Sequence, residues 1–398
     1  MGRRIAGGLR RGAGLLVTWW AVPALAAAAY QLLAVIAALR WKAGQTSSTL
    51  PGPLLPVSIL KPMYGRDDRL YQALRSHAVQ DHPEFEMLFG VRSMDDPALQ
   101  DIERLRREFP NLRMRVIAVE TGAPNAKVGV LATLAAEARY PLLVINDDDI
   151  EVAAGYLRAV TAPLRDRRIG LVTCLYRAHA SSLAARVEAL GVASEFASSV
   201  MVARLLGVGG FALGATMALR AETLERAGGF EPIAAYLADD YELGRRVAAA
   251  GFRIAFAPVV VETGLGGASW LEVWRHQLRW ARTIRVSRPG GYLGSVVTHA
   301  VLWALVAFGA GEWRAGAAAL VLRVLAGWLA GARVLRDPLV KRWFWLLPLG
   351  DLFGLAVWAG GCFGSTVYWR GLKLRLRKDG KIGGAPSPHS SKATPPTS

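Results

Sequence analysis

An uncharged segment near the start of the chain leaves few folds open to this protein. Residues 15–39 contain 25 positions without a charged side chain, and a helix of about 20 apolar residues crosses the hydrocarbon core of a bilayer. Arginines precede the segment and Arg40-Trp41-Lys42 follows it, which is typical of a membrane interface. A secretory signal peptide is the alternative, but the run is longer than the core of such a peptide and ends without a clear cleavage site. We therefore predict a retained membrane anchor over residues 1–42.

Apolar stretches return near the C-terminal end of the chain. They are Leu293–Gly311, Ala315–Leu335 and Trp343–Trp369. The middle stretch carries Arg323 and Arg333 and is the weakest candidate for a span, whereas the last one contains only Asp351 among charged residues. A hydrophobic content of 53% and a mean hydropathy of +0.26 agree with several membrane segments. We predict a C-terminal transmembrane region at residues 293–369. Either all three stretches cross the membrane, or one of them is re-entrant or interfacial.

The charge of the chain suits an anionic partner. The net charge is +17, which fits either nucleic acid or an anionic membrane surface. The basic residues flank apolar stretches, and neither zinc-finger spacing nor an RNA-binding aromatic signature is present. We therefore predict a lipid bilayer as the partner and no nucleic acid. Residues 43–56 are a Pro/Gly/Ser linker, and residues 370–398 are predicted to be a basic, disordered tail.

Between the apolar regions, short apolar runs alternate with amphipathic helices. The predicted strands are Val57–Leu60, Phe85–Val91, Arg113–Val119, Leu142–Asn146, Ile169–Leu175 and Phe252–Val261. Such alternation indicates βαβ units and a mostly parallel sheet, so residues 57–292 are predicted to form one α/β domain. The apolar stretch Leu183–Leu206 contains several charges, and it fits a core helix or a helix in the membrane interface equally well.

Three carboxylates, Asp147, Asp148 and Asp149, follow directly after the Leu142–Asn146 strand. Ligands of open α/β sheets bind beyond the carboxyl ends of the strands, and Mg²⁺ is commonly held there by one or two carboxylates together with substrate phosphates. A metal site is one interpretation of this run. The other is an acidic turn in which Asp149 or Glu151 caps the next helix.

Several short motifs, weak one by one, occur in an order that points to a known family. They are Ile59-Leu-Lys-Pro, Phe89-Gly-Val-Arg, Asp95-Asp-Pro-Ala, Asn125-Ala-Lys-Val, Asp147-Asp-Asp-Ile, Phe211-Ala-Leu-Gly-Ala-Thr-Met, Ala238-Asp-Asp-Tyr-Glu-Leu and His276-Gln-Leu-Arg-Trp. In this order they resemble the ceramide glucosyltransferases, and more closely the bacterial relatives that glycosylate hopanoid lipids. The resemblance implies an α/β GT-A nucleotide-diphospho-sugar transferase domain with N- and C-terminal transmembrane helices.

The three aspartate motifs of that family carry over one at a time. The first, which contacts uridine in relatives, falls on Asp95 and Asp96; a cap before the Pro97 helix is the alternative. The second implies that Asp147 and Asp149 hold Mg²⁺ or Mn²⁺ against the diphosphate. The third places the catalytic base at Asp240. Asp239 beside it has either a substrate-binding or a capping role.

The remaining predicted substrate contacts lie on two helices. The family's last motif corresponds to His276, Arg279 and Trp280, although relatives carry Gln or Arg where this chain has His276. Arg279 would supply a bidentate positive charge to the diphosphate. Asn125 and Lys127 belong to a motif at the start of another helix, and Lys127 is either a nucleotide or phosphate contact or an ordinary surface lysine.

The resemblance implies an inverting glycosyltransferase. It would move a hexose or N-acetylhexosamine from a UDP-sugar to the hydroxyl of a membrane lipid, either a hopanoid such as bacteriohopanetetrol or a ceramide. We expect an integral protein of the bacterial inner membrane with a cytoplasmic catalytic domain. One anchor helix before that domain puts the N-terminus outside, whereas the N-terminal arginines favour an inside N-terminus. A processive polysaccharide synthase is the enzymatic alternative, and a catalytically inactive membrane scaffold is the non-enzymatic one.

Overall fold

The structure is a computed structural model that describes residues 19–41 and 54–383. The N-terminal arginines, the first residues of the predicted anchor, most of the 43–56 linker and the tail beyond Gly383 lie outside the described residues. The anchor prediction is therefore tested only from Trp19 onward.

A seven-stranded sheet forms the centre of the domain, in the order β3-β2-β1-β4-β6-β5-β7. Its strands are β1 (Val57–Pro62), β2 (Phe85–Val91), β3 (Arg113–Ala118), β4 (Leu142–Ile145), β5 (Ile169–Ala180), β6 (Met217–Arg220) and β7 (Arg253–Gly266). The β1–β2, β1–β4, β2–β3 and β5–β7 pairs are parallel. Only β6 is antiparallel to its neighbours β4 and β5. The predicted mostly parallel α/β sheet is confirmed.

All six predicted strands are present, but β6 is absent from the prediction because it follows a glycine-rich stretch. Its four residues, Met217–Arg220, are all buried, and a run this short between glycines resembles a loop. Two apolar cores cover the two faces of the sheet, one around Ile59, Met87 and Val144 and the other around Leu60, Leu88 and Ile145. Because side chains alternate along a strand, consecutive residues of β1 contribute to opposite cores.

The helices of the domain lie against these two faces and join it to the apolar regions. They are α2 (Leu70–Ala78), α3 (Ala98–Glu108), α4 (Ala126–Ala136), α5 (Tyr156–Thr161), α6 (Leu183–Gly191), α7 (Ala197–Leu205), α8 (Ala221–Arg226), α9 (Asp239–Ala249), α10 (Trp270–Ser287) and α11 (Pro289–Gly294); α1 (Ala21–Arg40) precedes them. A π-helical turn, Val192–Phe196, makes α6 and α7 one continuous segment. That segment packs on the sheet core and also contacts α1, so it is a core helix as one of the two alternatives had it.

Three helices among the described residues are long and apolar enough to cross a membrane: Ala21–Arg40, Trp313–Val334 and Pro338–Gly361. They contain α1, α13 (Trp313–Trp328), α14 (Pro338–Trp343) and α15 (Leu347–Gly361); α12 (Ala300–Gly309) immediately precedes α13. The helix predicted as the weakest span is supported by an ion pair. Arg323 on α13 donates to Asp351 on α15 over 3.0 Å, and both side chains are almost fully buried. The charge that weakened the sequence pattern is therefore matched by the single charge of the next stretch.

Two predicted spans differ from the structure. The stretch 293–311 is a pair of short helices, Pro289–Thr298 and Ala300–Gly309, bent by 53°, as in a broken span or a re-entrant loop. The last stretch does not continue to Trp369, because α15 ends at Gly361 and strand β8 (Thr366–Trp369) follows. The bend of the first segment falls at His299, between its two helices, and the last segment contains Pro348 and several glycines. Residue-by-residue hydropathy does not register such bends.

The predicted disordered tail begins too early. Residues 372–383 form two further strands, β9 (Leu372–Leu376) and β10 (Ile382–Gly383), in a three-stranded antiparallel sheet with β8. The alternating pattern of β9 buries Leu374 and Leu376 and exposes its basic residues. Those basic residues made the segment look like a solvated tail, whereas its two buried leucines show an amphipathic strand.

Candidate active site

The three carboxylates of the Asp147–Asp149 run lie at the carboxyl edge of the central strands. Parallel pairing places Leu60 of β1 opposite Ile145 of β4, so the residues after both strands meet at one edge. Lys61, which is fully buried, donates from Nζ to the carbonyl oxygen of Asp147 over 2.8 Å. Burial lowers the pKa of Lys61 to about 8, although the three carboxylates oppose the shift. A positive charge is thus built into the floor of the site.

Lys127, at the start of α4, joins two of the predicted aspartate motifs. Its Nζ lies 2.7 Å from Oδ1 of Asp147 and 3.2 Å from Oδ2 of Asp239. Burial alone would lower the pKa of Lys127, but the attraction of Asp147, Asp239 and Asp240 raises it above its ordinary value. The same ammonium outweighs the effect of burial on Asp147 and lowers that pKa. Lys127 is therefore no ordinary surface lysine; it is a buried charge that holds two acidic motifs together.

Asp149 is held by the opposite side of the sheet edge. Its Oδ2 accepts hydrogen bonds from the Thr263 hydroxyl and, over 3.0 Å, from the Gly264 amide, both in β7. Burial and repulsion by Asp148 and Asp147 raise the pKa of Asp149 to about 7. Such repulsion is relieved when a cation shares the carboxylates. Asp149 therefore faces the other two aspartates instead of capping a helix as the alternative had it.

Asp240 lies in the first turn of α9, next to the same group of charges. Burial and the Asp239 carboxylate raise its pKa to about 6, and Lys127 opposes this shift. Its Oδ1 accepts the Tyr241 amide over 2.7 Å. A Cβ at Gly214 would lie 3.1 Å from Oδ2, so the glycine leaves that oxygen its space. The structure thus brings together Asp147, Asp149, Asp239, Asp240 and Lys127.

The first aspartate motif reaches the same edge through the loop after β1. Adjacent amides of that loop donate to two motifs: Tyr64 to Oδ2 of Asp148 and Gly65 to Oδ2 of Asp96, each over 3.2 Å. The other oxygen of Asp96 accepts the Ala98 amide over 2.9 Å, the capping contact given above as the alternative. Asp95 is exposed, so it is the acidic residue of this motif that remains accessible to a ligand.

Asn125 is fully buried and its side chain is used by the protein. Its Oδ1 accepts the amides of Lys127 and Val128, which caps α4, and its Nδ2 donates to the Tyr236 carbonyl over 2.8 Å. This corrects the expected substrate contact: Asn125 orients Lys127 and ties α4 to the segment that leads to Asp239. A single asparagine in a sequence motif does not show whether its side chain caps a helix or contacts a ligand.

Helix α10 carries the last motif toward the carboxylates. His276 pairs through Nδ1 with Glu188 of α6, and Gln277 donates to the same Glu188 oxygen over 2.7 Å. The Trp280 ring lies 5.0 Å from the His276 ring and 6.0 Å from that of Phe196. Trp280 therefore packs against the α6–α7 segment, and the pair His276–Glu188 fixes the rotation of α10.

Arg279 lies close enough to the acidic residues to be attracted by their charge. Burial lowers its pKa, while Asp147, Glu188 and Asp239 oppose the shift. Within residues 19–41 and 54–383 the Arg279 guanidinium donates no hydrogen bond to a side chain or carbonyl. A half-buried guanidinium without a protein acceptor is available for an anionic ligand.

Two cavities meet at Glu188. One, of about 290 Å³, lies between the α6–α7 segment, α10 and the apolar helices, and Tyr30, Trp280, His299 and Phe353 are among its lining residues. The other, of about 530 Å³, is lined by Gly264 and His276. Gly264, which lines the second cavity, donates its amide to Asp149. The second cavity therefore lies beside a residue that contacts the carboxylate cluster.

Three residues of this site were absent from the predicted set. Lys61 belongs to the Ile59-Leu-Lys-Pro motif, to which no role was assigned. The only sign of its importance in the sequence is a lysine at the end of a mostly apolar strand. Glu188 was visible only as a charge within an apolar helical stretch. Thr263 carries no local signal, because its contact with Asp149 joins positions 114 residues apart.

Comparison with known proteins identifies the family. The family model described as glycosyl transferase family 21 matches residues 16–382. Among characterised relatives, ceramide glucosyltransferase 1 of Caenorhabditis elegans is 29% identical over 211 residues, which cover 52% of this chain and 45% of the worm protein. The ceramide glucosyltransferase of Komagataella phaffii is 34% identical over 122 residues, 29% of this chain and 24% of the yeast enzyme. The aligned part of this chain thus spans less than half the length of these relatives.

Comparison of structures supports the fold. A mannosyltransferase from Pyrobaculum calidifontis, solved in complex with GDP-Man and Mn²⁺, superimposes with a TM-score of 0.51 and 19% sequence identity. The match covers 86% of this chain and 97% of that protein. The catalytic domain accordingly has the GT-A fold, with candidate membrane spans at both ends, as the sequence motifs predict.

Proposed function

The chain belongs to glycosyl transferase family 21, and we propose that it is an inverting glycosyltransferase that moves a sugar from UDP to the hydroxyl of a membrane lipid. The observation that carries this proposal is the assembly of one site from distant motifs. Asp147 and Asp239 share Lys127, and Arg279 approaches them from α10. Carboxylates and basic side chains at the carboxyl edge of a GT-A sheet suit a nucleoside diphosphate sugar.

The residues present fit a divalent cation only if the substrate completes its coordination. Within the described parts of the chain, no three His, Cys, Asp or Glu side chains are arranged to hold a metal by themselves. Asp149 and Asp147 supply hard oxygen ligands, which suit Mg²⁺ or Mn²⁺, and the repulsion that raises the pKa of Asp149 favours a cation. The bound ion would stabilise negative charge on the diphosphate leaving group. The structural relative from Pyrobaculum was solved with Mn²⁺.

The chain's own residues handle charge and proton. Arg279 would donate to the departing diphosphate, whose charge grows as the sugar bond breaks. Asp240 would accept the proton of the lipid hydroxyl as that oxygen attacks the anomeric carbon from the opposite face. One displacement inverts the anomeric centre, so an α-linked donor yields a β-glycoside. Asp95, the exposed residue of the first motif, is the proposed uridine contact.

The acceptor side of the proposal rests on the two cavities that share Glu188. The cavity between α10 and the apolar helices is lined by aromatic and aliphatic side chains together with polar ones, among which are Glu188, Glu195, His299 and Arg323. A lipid can place its apolar part there and its hydroxyl toward Glu188 and the carboxylates. Relatives are named ceramide glucosyltransferases, and ceramide and a hopanoid polyol are the two proposed acceptors.

The location follows from the proposed donor. Nucleotide sugars are cytosolic, so we place the catalytic domain on the cytoplasmic side, in the inner membrane of a bacterium. Helix α1 and the C-terminal helices then hold the domain against the bilayer. Trp270 is 51% exposed beside Phe353, and it belongs to the rim that would contact lipid headgroups.

A transfer assay on membranes tests the function directly. Membranes with the wild-type chain or Asp240→Asn receive radiolabelled UDP-glucose or UDP-N-acetylglucosamine, with ceramide or a hopanoid polyol added, and the lipids are resolved on thin-layer plates. The expected result is a labelled lipid that Asp240→Asn fails to make, with a β-linkage in the product's anomeric coupling constant. Label in insoluble polymer indicates a polysaccharide synthase instead. Absence of both transfer and nucleotide binding indicates an inactive scaffold.

A further inference from the structure

The segment after the last apolar helix folds back onto the carboxylate cluster. β8 and β9 pair antiparallel with Trp369 opposite Leu372, so Arg370 and Gly371 form the whole connection between them. This hairpin is not explained by the catalytic motifs, which end at Trp280.

The tip carries backbone strain at an arginine. Arg370 has φ 48° and Gly371 φ 75°, the positive values that a two-residue type I′ turn requires at both positions. Asn-Gly is the common sequence for such a turn, because asparagine and glycine tolerate this conformation and other side chains do not. A strained residue that the surrounding structure holds in place is typical of functional sites. Arginine thus occupies a position at which the turn itself favours asparagine.

The hairpin is fixed to the catalytic domain at both ends. The Ile382 amide donates to the Ala235 carbonyl over 2.8 Å, and Leu237 packs into the small core of the three-stranded sheet with Leu374 and Leu376. Ala235 and Leu237 immediately precede the Asp239–Asp240 motif. At the tip, the Tyr64 hydroxyl donates to the Arg370 carbonyl over 2.8 Å. The position of Arg370 relative to the carboxylates is therefore set by the fold.

The Arg370 guanidinium faces the donor side of the site. It lies 4.8 Å from the centre of the Tyr64 ring, and the amide of the same tyrosine binds Asp148. The next amide of the same loop, that of Gly65, binds Asp96. The hairpin therefore holds the Arg370 side chain against the loop that contacts two of the acidic motifs. The charge of Arg370 also acts on the Arg279 guanidinium, and an anion between two such groups would relieve their repulsion.

We propose that Arg370 is a second diphosphate-binding arginine, which closes the donor site opposite Arg279. The proposal rests on the proposed function, because it assigns Arg370 to the same nucleotide-sugar donor. A planar guanidinium binds phosphate oxygens in a bidentate manner. Because the hairpin that carries Arg370 packs against the segment before Asp239 and Asp240, donor binding at Arg370 would be coupled to the position of the catalytic base. The C-terminal hairpin is then part of the active site.

Two substitutions separate binding from stability. Arg370→Asn places the preferred residue in the type I′ turn, so the thermal midpoint should stay unchanged or rise, while affinity for the diphosphate falls. Arg370→Lys keeps the charge and should restore part of the affinity. Arg375→Gln is the matched control, because Arg375 is exposed on β9 of the same sheet and is placed in no binding role. The full-length proteins, in detergent with Mn²⁺, are titrated with UDP and with UMP.

The expected result is a loss of at least tenfold in UDP affinity for Arg370→Asn, with UMP affinity changed less than threefold and Arg375→Gln like wild type. The donor KM should rise in parallel and the acceptor KM should not. Equal losses for UDP and UMP would show a merely structural role and overturn the proposal. Unchanged UDP affinity in Arg370→Asn would overturn it while leaving the proposed function intact. A wild-type chain that binds neither nucleotide would overturn both.

Discussion

Asp240 is the residue whose ionisation we expect to control the rate. Burial and Asp239 raise its pKa to about 6, and only the ionised carboxylate can accept a proton. The pH profile of kcat/KM for the donor should therefore rise through about pH 6 and fall about tenfold per unit below it. Asp240→Asn should lose about 10²–10⁴-fold in turnover and retain UDP binding. A wild-type profile that is flat between pH 5 and 8 would contradict this role.

Lys127 is expected to be a stability residue as much as a site residue. Lys127→Met leaves the buried Asp239 without its cation, and breaking a buried ion pair in this way costs about 3–5 kcal/mol. Thermal unfolding of the purified protein should show a lower midpoint. Adding Asp239→Asn to the variant should recover part of the loss, because one uncompensated charge is removed. Lys373→Met, at an exposed position of β9, is the control and should change little.

At the scale of elements, the pair Arg323–Asp351 connects two membrane helices. Arg323→Leu leaves Asp351 buried among apolar side chains, so we expect a loss of about 3–5 kcal/mol and a smaller yield of monodisperse protein in size-exclusion chromatography. The double variant Arg323→Leu/Asp351→Leu should be closer to wild type, since neither charge remains. Arg314→Leu, at an exposed position of the same helix, is the comparison. A double variant worse than Arg323→Leu would show that the two side chains do not act as a pair.

At the scale of the whole molecule, the C-terminal sheet determines the membrane topology. It packs against Leu237 of the catalytic domain, so both lie on the same side of the bilayer. The chain between them must then cross an even number of times. Trp313–Val334 and Pro338–Gly361 would supply two crossings, and we infer that the bent pair Pro289–Thr298 and Ala300–Gly309, a broken span or a re-entrant loop, is the latter. With the catalytic domain proposed to be cytoplasmic, the basic residues of β9 would lie on the same side, as the positive-inside rule expects.

Reporter fusions test this topology. Green fluorescent protein fused after Ser398 should fluoresce, and alkaline phosphatase at the same place should be inactive, because the C-terminus is predicted to be cytoplasmic. Fusions after Gly311 should give the same result, because a re-entrant loop returns to the cytoplasmic side. Active phosphatase at the C-terminus would mean an odd number of crossings, and the packing of the hairpin on the catalytic domain would then be wrong.

The local patterns of the sequence were sufficient for the mostly parallel α/β class, six of the seven strands of the central sheet and the Asp147–Asp149 run, whereas the GT-A fold and the other acidic motifs were predicted from the family resemblance. Apolar runs report helix and strand lengths directly, and a carboxylate run after a buried strand marks the ligand edge of the sheet. The strand missed was β6, whose four residues follow glycines. The ends of the last span and of the tail were misplaced, because hydropathy averages over bends and over amphipathic strands.

The sequence by itself thus determined that this chain is a membrane-associated α/β protein with an acidic site, since those properties depend on neighbouring residues. Only the tertiary structure decided which polar side chains meet: Asp149 with Thr263, His276 with Glu188, Arg323 with Asp351. It also showed that Asn125, a predicted substrate contact, caps a helix. Arg370, which was predicted to belong to a disordered tail, lies close enough to the carboxylates to act on their charge. The physical reason is distance along the chain. A buried charge is stable only beside its partner, and that partner stands many residues away, where no local pattern points to it.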